Sequence, residues 1–223
     1  MSQKPWVNVD SVNRGIDEIV KVGAETRAIA ILRKCPEFAL MNVVAALEQS
    51  GIRLVEITLD SSRPFDLIQK VIAEHPGLLV GAGTVHTAGD VKTVAEIGGR
   101  FIVSPIISEE VMLASSQRGL AVFPGAATPS EIIQASALGA TAVKIFPAQQ
   151  LGGPSFLKAV MSPLLNPRLI PTGGVDIHNA PRYIEAGAFA VGIGSALIKS
   201  ELIESADFLK LEKLLKKFMK VIL

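Results

Sequence analysis

A closed barrel of eight parallel strands alternating with helices, a (β/α)8 or TIM barrel, is the fold this sequence predicts, on three observations. Short apolar runs occur eight times, and helical patterns follow them. Their first residues, at 28, 54, 78, 100, 120, 142, 168 and 188, lie 20 to 26 residues apart. That leaves room for a strand, a loop and a crossover helix each time. All eight runs are also similarly apolar, as equally buried strands would be, whereas an open doubly wound sheet would leave edge strands.

In chain order, residues 9–23 read as an N-terminal helix that closes the barrel floor. The runs then follow: "AIAIL", "LVEITL", "LLVGAG", "RFIVSP", "LAVFPG", "AVKIFP", "RLIPTGG" and "AFAVGIG". Most end in Gly or Pro, residues that halt a strand and prepare a loop. Segments between them, such as "PEFALMNVVAALEQSG" at 36–51, carry an apolar 3.6-residue stripe and sometimes a closing Gly. The last segment, 206–223, reads as a C-terminal helix that is both apolar and basic. Its Phe208, Leu211, Leu215 and Phe218 stripe is expected to dock on the barrel rather than lie on a membrane surface.

The chain has 223 residues, 49% of them apolar and 19% charged. It can bury a large core, and no low-complexity linker divides it, so residues 1–223 are expected to form one domain. A formal net charge of +1 gives no electrostatic reason to expect nucleic acid or an acidic membrane as partner. No apolar run approaches the roughly 18 residues of a membrane span. One cysteine, Cys35, and no basic-then-apolar leader lead to the expectation of a cytoplasmic protein. His75, His86 and His178 are scattered, so neither a metal nor an organic cofactor is expected.

Two runs contain a charge that does not belong in a buried strand. In "AVKIFP", Lys144 is the only charged residue between Glu131 and Lys158. Strand alternation sends Val143 and Ile145 to one face and Ala142, Lys144 and Phe146 to the other. If the first face packs on helices, Lys144 points into the barrel, where desolvation favours its neutral, nucleophilic amine. In "LVEITL", Glu56 interrupts the run in the same way, with Val55 and Ile57 on the opposite face.

A buried Glu–Lys pair contributes little net stability, whereas the carboxyl ends of barrel strands are where active sites assemble. An uncharged lysine can attack a ketone, and the resulting iminium can draw electrons from a breaking carbon–carbon bond while the carboxylate moves protons.

Two glycine runs, "PTGGVD" at 171–176 and "GIGSAL" at 192–197, follow the seventh and eighth strands and are read as leading into helix starts. Gly173, Gly174 and Gly194 would let backbone N–H groups approach an anion there. Thr84 in "GAGT" could hydrogen-bond a substrate carboxylate, and Arg33 after the first strand offers a bidentate cation.

These motifs, together with "SP" at 104–105, "PG" at 124–125 and "KIFPA" at 144–148, resemble the class I KHG/KDPG aldolases in order from about residue 26 to residue 200. The resemblance implies cleavage of 2-keto-3-deoxy-6-phosphogluconate or 4-hydroxy-2-oxoglutarate, with 2-keto-3-deoxy-6-phosphogalactonate as the alternative substrate. It implies that Lys144 forms a Schiff base with the pyruvate half, that Glu56 shuttles protons through a water, and that Thr84 holds the pyruvyl carboxylate. Pro105 and Phe146 would line the pocket, and Gly173, Gly174, Gly194 and Ser195 would bind the distal phosphate or carboxylate. It further implies a homotrimer.

One position departs from the pattern. Gluconate-type members often carry an Arg four residues after the glutamate, where this chain has Asp60 in "LDSSRP". An aspartate there is expected to repel a carboxylate, so that either Arg63 or Arg33 compensates or the preferred substrate differs. Two rivals use the same features: a phosphosugar isomerase or epimerase without a covalent amine, and a non-enzymatic scaffold that keeps the fold.

Overall fold

The computed structural model describes residues 9–223. Helix α1 (Val9–Thr26) precedes strand β1 (Ala28–Leu32), and strand and helix then alternate: α2 (Glu37–Gln49), β2 (Leu54–Thr58), α3 (Pro64–Glu74) and β3 (Leu79–Gly83). Next come α4 (Ala88–Glu96), β4 (Phe101–Val103), α5 (Glu109–Gln117), β5 (Ala121–Phe123), β6 (Gly125–Ala126) and α6 (Pro129–Ala137). The chain continues through β7 (Val143–Ile145), α7 (Gly153–Met161), β8 (Leu169–Pro171), α8 (Ala180–Glu185) and β9 (Val191–Ile193). It ends with α9 (Ser200–Glu204) and α10 (Phe208–Ile222).

All strand pairings are parallel, and the strands form two arcs, β5-β4-β3-β2-β1-β9 and β6-β7-β8. The arcs meet at two seams. At the first, Pro124 splits the fifth stave into β5 and β6, since proline has no N–H for the ladder. Its carbonyl still accepts a 2.9 Å bond from the Lys144 N–H, and Val122 accepts one from Thr141 at 3.0 Å. At the second seam Thr172 bridges Gly192, and the Phe189 N–H reaches the Leu169 carbonyl at 2.9 Å. The eight staves thus coincide with the eight apolar runs of the sequence.

Alternation along each strand sorts the core into two layers. Outward residues such as Val55, Ile57, Val143, Ile145 and Val191 pack with Leu40, Val43, Ile68 and other helix residues. Inward residues form a second cluster: Ile29, Leu54, Leu79, Phe101, Ala121, Ala142, Ile170 and Ala190, with Val103 and Phe123 above. Ile19 and Val22 of α1 belong to this inner cluster, so α1 plugs the amino-terminal mouth as the sequence suggested. The helix runs three residues past the expected end at 23, to Thr26, whose hydroxyl turns back onto the Val22 carbonyl.

Local signals start the outer helices. Thr87 with Asp90, and Thr128 with Glu131, close capping boxes at α4 and α6. Helix α10 packs on α2, burying Leu211, Leu215 and Phe218, while Phe208 is only half-buried. No helix among the described residues is long and apolar enough to cross a membrane.

Candidate active site

Glu56 is the middle residue of β2, and Lys144 is the middle residue of β7. Both side chains turn into the barrel, because their neighbours Val55, Ile57, Val143 and Ile145 are committed to the helix layer. Lys144 Nζ lies 3.9 Å from Glu56 Oε1, and the two side chains are only 8% and 2% exposed. That separation is too long for a hydrogen bond, and Glu56 Oε1 is buried without a partner. Burial pushes the Glu56 carboxyl above its ordinary range, and the nearby Lys144 and Arg33 charges offset this only in part.

Room for Glu56 comes from the adjacent strand. Thr58 of β2 pairs with Gly83 of β3, and a Cβ on Gly83 would overlap the Glu56 carboxylate. In the sequence "GAGT" reads only as a strand end with a useful threonine. Its glycine is the space the carboxylate occupies.

Lys144 opens onto a cleft of about 760 Å³ at the carboxyl-terminal mouth of the barrel. Arg33, Phe146, Gly173, Gly174, Gly194 and Ser195 line the same cleft, so six of the expected binding residues converge on the lysine. The Phe146 ring centroid lies 5.5 Å from Lys144 Nζ. Beneath the lysine, a chamber of about 10 Å³ is bounded by Glu56, Lys144, Thr172 and apolar residues of the inner layer. Sequence reasoning missed Thr172, the residue that bridges the second seam beside this chamber.

Two expected residues stand apart from the cleft lining. Pro105 packs its backbone against Gly125 and borders neither the cleft nor the chamber. Thr84 is also outside the lining, but it is tied to the cleft through Arg33, whose guanidinium donates to the Thr84 hydroxyl at 3.2 Å. Thr84 holds a left-handed backbone, φ 60°, uncommon for a threonine.

Of the two arginines expected to offset Asp60, the structure brings Arg33 against it. Its carboxylate accepts from the other terminal nitrogen of Arg33 at 3.3 Å. Partial burial works against its ionisation, but Thr58, Arg33 and Lys34 together hold the Asp60 carboxyl below the usual range. Arg63 takes no part, being paired with Glu37 at the surface.

The glycine loops also differ from expectation in how they continue. Gly173 and Gly174 both adopt left-handed backbone, and a Cβ on Gly174 would crowd Gln149. The loop does not enter a helix directly. An Asx turn intervenes, in which Asp176 Oδ1 accepts from the N–H groups of His178 and Asn179, and α8 begins only at Ala180. After Gly194 the chain makes one helical turn, with the Leu197 and Ile198 N–H groups on the Gly194 carbonyl, before α9 starts at Ser200. Neither glycine loop therefore runs straight into the first turn of a long helix.

Cys35 borders the cleft, and burial pushes its thiol up to about 11, which makes it an inert wall at neutral pH. Among the described residues, no group of three or more His, Cys, Asp or Glu is placed to hold a metal ion.

A parallel barrel whose carboxyl-terminal mouth holds a sheltered amine beside a carboxylate defines an enzyme-like site. The comparisons say which kind. The family model described as KDPG and KHG aldolase matches residues 16–214, and the chain belongs to that family. It is therefore a member of a carbon–carbon lyase family, which sets aside the isomerase and scaffold readings.

The chain is 37% identical over 186 residues to a Rhizobium meliloti protein named "Probable 2-dehydro-3-deoxy-6-phosphogalactonate aldolase", covering 82% of this chain and 87% of that one. It is 32% identical over 169 residues to the KHG/KDPG aldolase of Escherichia coli, covering 76% of this chain and 79% of that protein. The structure of the Legionella pneumophila KDPG aldolase, in which pyruvate was captured at low pH as a covalent carbinolamine, superposes with a TM-score of 0.80 at 28% identity. That match covers 88% of this chain and 96% of the other.

Proposed function

We propose that this chain is a Schiff-base aldolase that cleaves 2-keto-3-deoxy-6-phosphogluconate to pyruvate and glyceraldehyde 3-phosphate, 4-hydroxy-2-oxoglutarate to pyruvate and glyoxylate, or both. The observation that carries this reading is the buried Lys144–Glu56 pair, 3.9 Å apart beneath an open cleft.

The Lys144 amine, once it has given up its proton, adds to the C2 carbonyl carbon of the keto acid, and Glu56, protonated, supplies the proton with which the carbinolamine loses water. The iminium that results draws electrons. Glu56, now a carboxylate, takes the C4 hydroxyl proton as the C3–C4 bond breaks, and the bonding pair flows into the iminium to give an enamine. The aldehyde half departs. Protonation at C3 and addition of water then release pyruvate and return the free amine. The raised affinity of Glu56 for its proton suits a group that both gives and takes it in this cycle.

In this scheme Thr84 and Arg33 receive the pyruvyl carboxylate, and Phe146 flanks the keto acid, while Pro105 stays outside the cleft lining. Gly173, Gly174, Gly194 and Ser195 offer backbone N–H groups and a hydroxyl to the distal phosphate. A second reading, preference for the phosphogalactonate substrate, is favoured by Asp60 standing where gluconate-type members carry Arg, and by the name of the Rhizobium relative. Initial rates on the three substrates decide between them: the galactonate reading predicts the highest kcat/KM on that sugar acid alone.

We also propose a single-domain homotrimeric protein working in the cytoplasm, in keeping with the family resemblance and a lone cysteine. Light scattering on the purified chain then gives about three times 23.6 kDa. The decisive chemical test is borohydride reduction in the presence of pyruvate. A reduced pyruvate adduct on Lys144 is expected, and an unmodified Lys144 in folded protein rejects the scheme.

A further inference from the structure

Loops after the first three strands are tied together at the mouth of the barrel. Arg33 spans them, donating through one terminal nitrogen to Asp60 Oδ2 at 3.3 Å and through the other to Thr84 Oγ1 at 3.2 Å. The Lys34 N–H donates to Ser61 Oγ at 3.0 Å, and the Leu59 N–H donates to the Gly83 carbonyl at 2.8 Å. Lys34, Arg63 and Thr84 all hold left-handed backbone, so each of the three loops is fixed in a conformation non-glycine residues rarely adopt.

A hydroxyl that accepts from Arg33 keeps its own proton for donation elsewhere. We propose that Asp60 is a positioning residue for the carboxylate end of the substrate. By anchoring one side of the Arg33 fork, it turns the other side onto Thr84 and leaves the Thr84 proton directed at the incoming 2-keto acid. Asp60 thereby supports carboxylate binding from behind, although its charge has the wrong sign to touch the carboxylate itself.

An isolated exposed ion pair does little for stability, and Arg33 and Asp60 are 56% and 29% exposed, so orientation is the role this geometry leaves for the pair. The fork is suited to it, since a planar guanidinium held at two nitrogens has little remaining freedom.

This inference rests on the aldolase reading, and its test separates the two. The measurement is exchange of the pyruvate methyl protons with solvent, which reports enamine formation without the aldehyde half. D60A is expected to raise KM for pyruvate about tenfold, the effect of losing one charge-assisted hydrogen bond, with kcat little changed. D60N keeps an acceptor for Arg33 but loses the charge, and should fall between D60A and the wild type. In an R33A background, D60A should add no further rise in KM.

If Asp60 merely repelled the substrate, both variants would lower KM, and that result overturns the proposal. An unchanged KM in D60A and D60N overturns it too, as does a D60A effect that persists undiminished beside R33A. Failure of the wild type to exchange pyruvate protons or to be trapped by borohydride removes the aldolase reading, and this inference with it. Normal wild-type trapping with unresponsive Asp60 variants removes the inference alone.

Discussion

Inside the barrel, two layers lie one above the other on the same strand faces, and they have opposite character. Four strands show the contrast at a spacing of two residues: Leu54 then Glu56, Ala142 then Lys144, Ile170 then Thr172, Ala190 then Gly192. The lower members pack with Ile19 and Val22 of α1 in a sealed apolar plug. The upper members surround the amine, the carboxylate and the small chamber between them. Alternation places both layers inside, and the two-residue step separates stability from chemistry. Substitutions in the two layers should therefore have separable effects.

The largest expected effect is in the upper layer. Lys144→Met should reduce retro-aldol turnover by roughly 10⁵-fold or more, the scale seen when an enzyme's nucleophile is removed. Circular dichroism should still report a folded barrel, because an unbranched methionine is of similar length to the lysine and the plug beneath is untouched. Turnover within tenfold of wild type would show that the two layers do not divide labour in this way.

Leu54→Ala tests the other layer on the same strand as Glu56. Leu54 is fully buried, and its loss should cost about 2–5 kcal/mol of stability in a denaturant titration. In the fraction that remains folded, kcat/KM should stay close to wild type. A loss of kcat comparable to that from altering the upper layer would mean that the plug also sets the geometry of the site.

The contrast also explains what the sequence made legible. All eight staves were visible because buried parallel strands are continuous apolar runs, and Lys144 and Glu56 stood out because each interrupts one. Relations between distant loops were not visible. In the sequence Arg33 and Arg63 are equal candidates to offset Asp60, and only the fold, which brings Arg33 against it from 27 residues earlier, decides between them. Gly83 reads as a strand end until β3 is laid beside β2 and its missing side chain is seen to make space for Glu56.

The helix after the first glycine loop starts later than the sequence alone indicates, for a local reason. Asp176 and Asn179 in "VDIHNA" are strong turn formers, and that chemistry could have delayed the predicted start. Pro105 enters the expected site by resemblance alone, with no inward charge of its own.

The smallest effect expected is the most direct measure of what the upper layer costs the fold. Burial raises the Glu56 carboxyl above its ordinary value of 4.5, and Lys144 does not fully compensate. A carboxyl that holds its proton more tightly when folded favours the native state at low pH. This contribution is complete below the unfolded value and is lost as pH rises through the folded one. Glu56→Gln removes the dependence, so the variant should melt above the wild type at neutral pH, and the difference should vanish well below pH 4.5. Melting curves of both proteins across that range check the sign. A variant less stable than wild type at neutral pH would mean that the Lys144 ammonium holds Glu56 as a net stabilising ion pair, and the upper layer would then be structural as well as chemical.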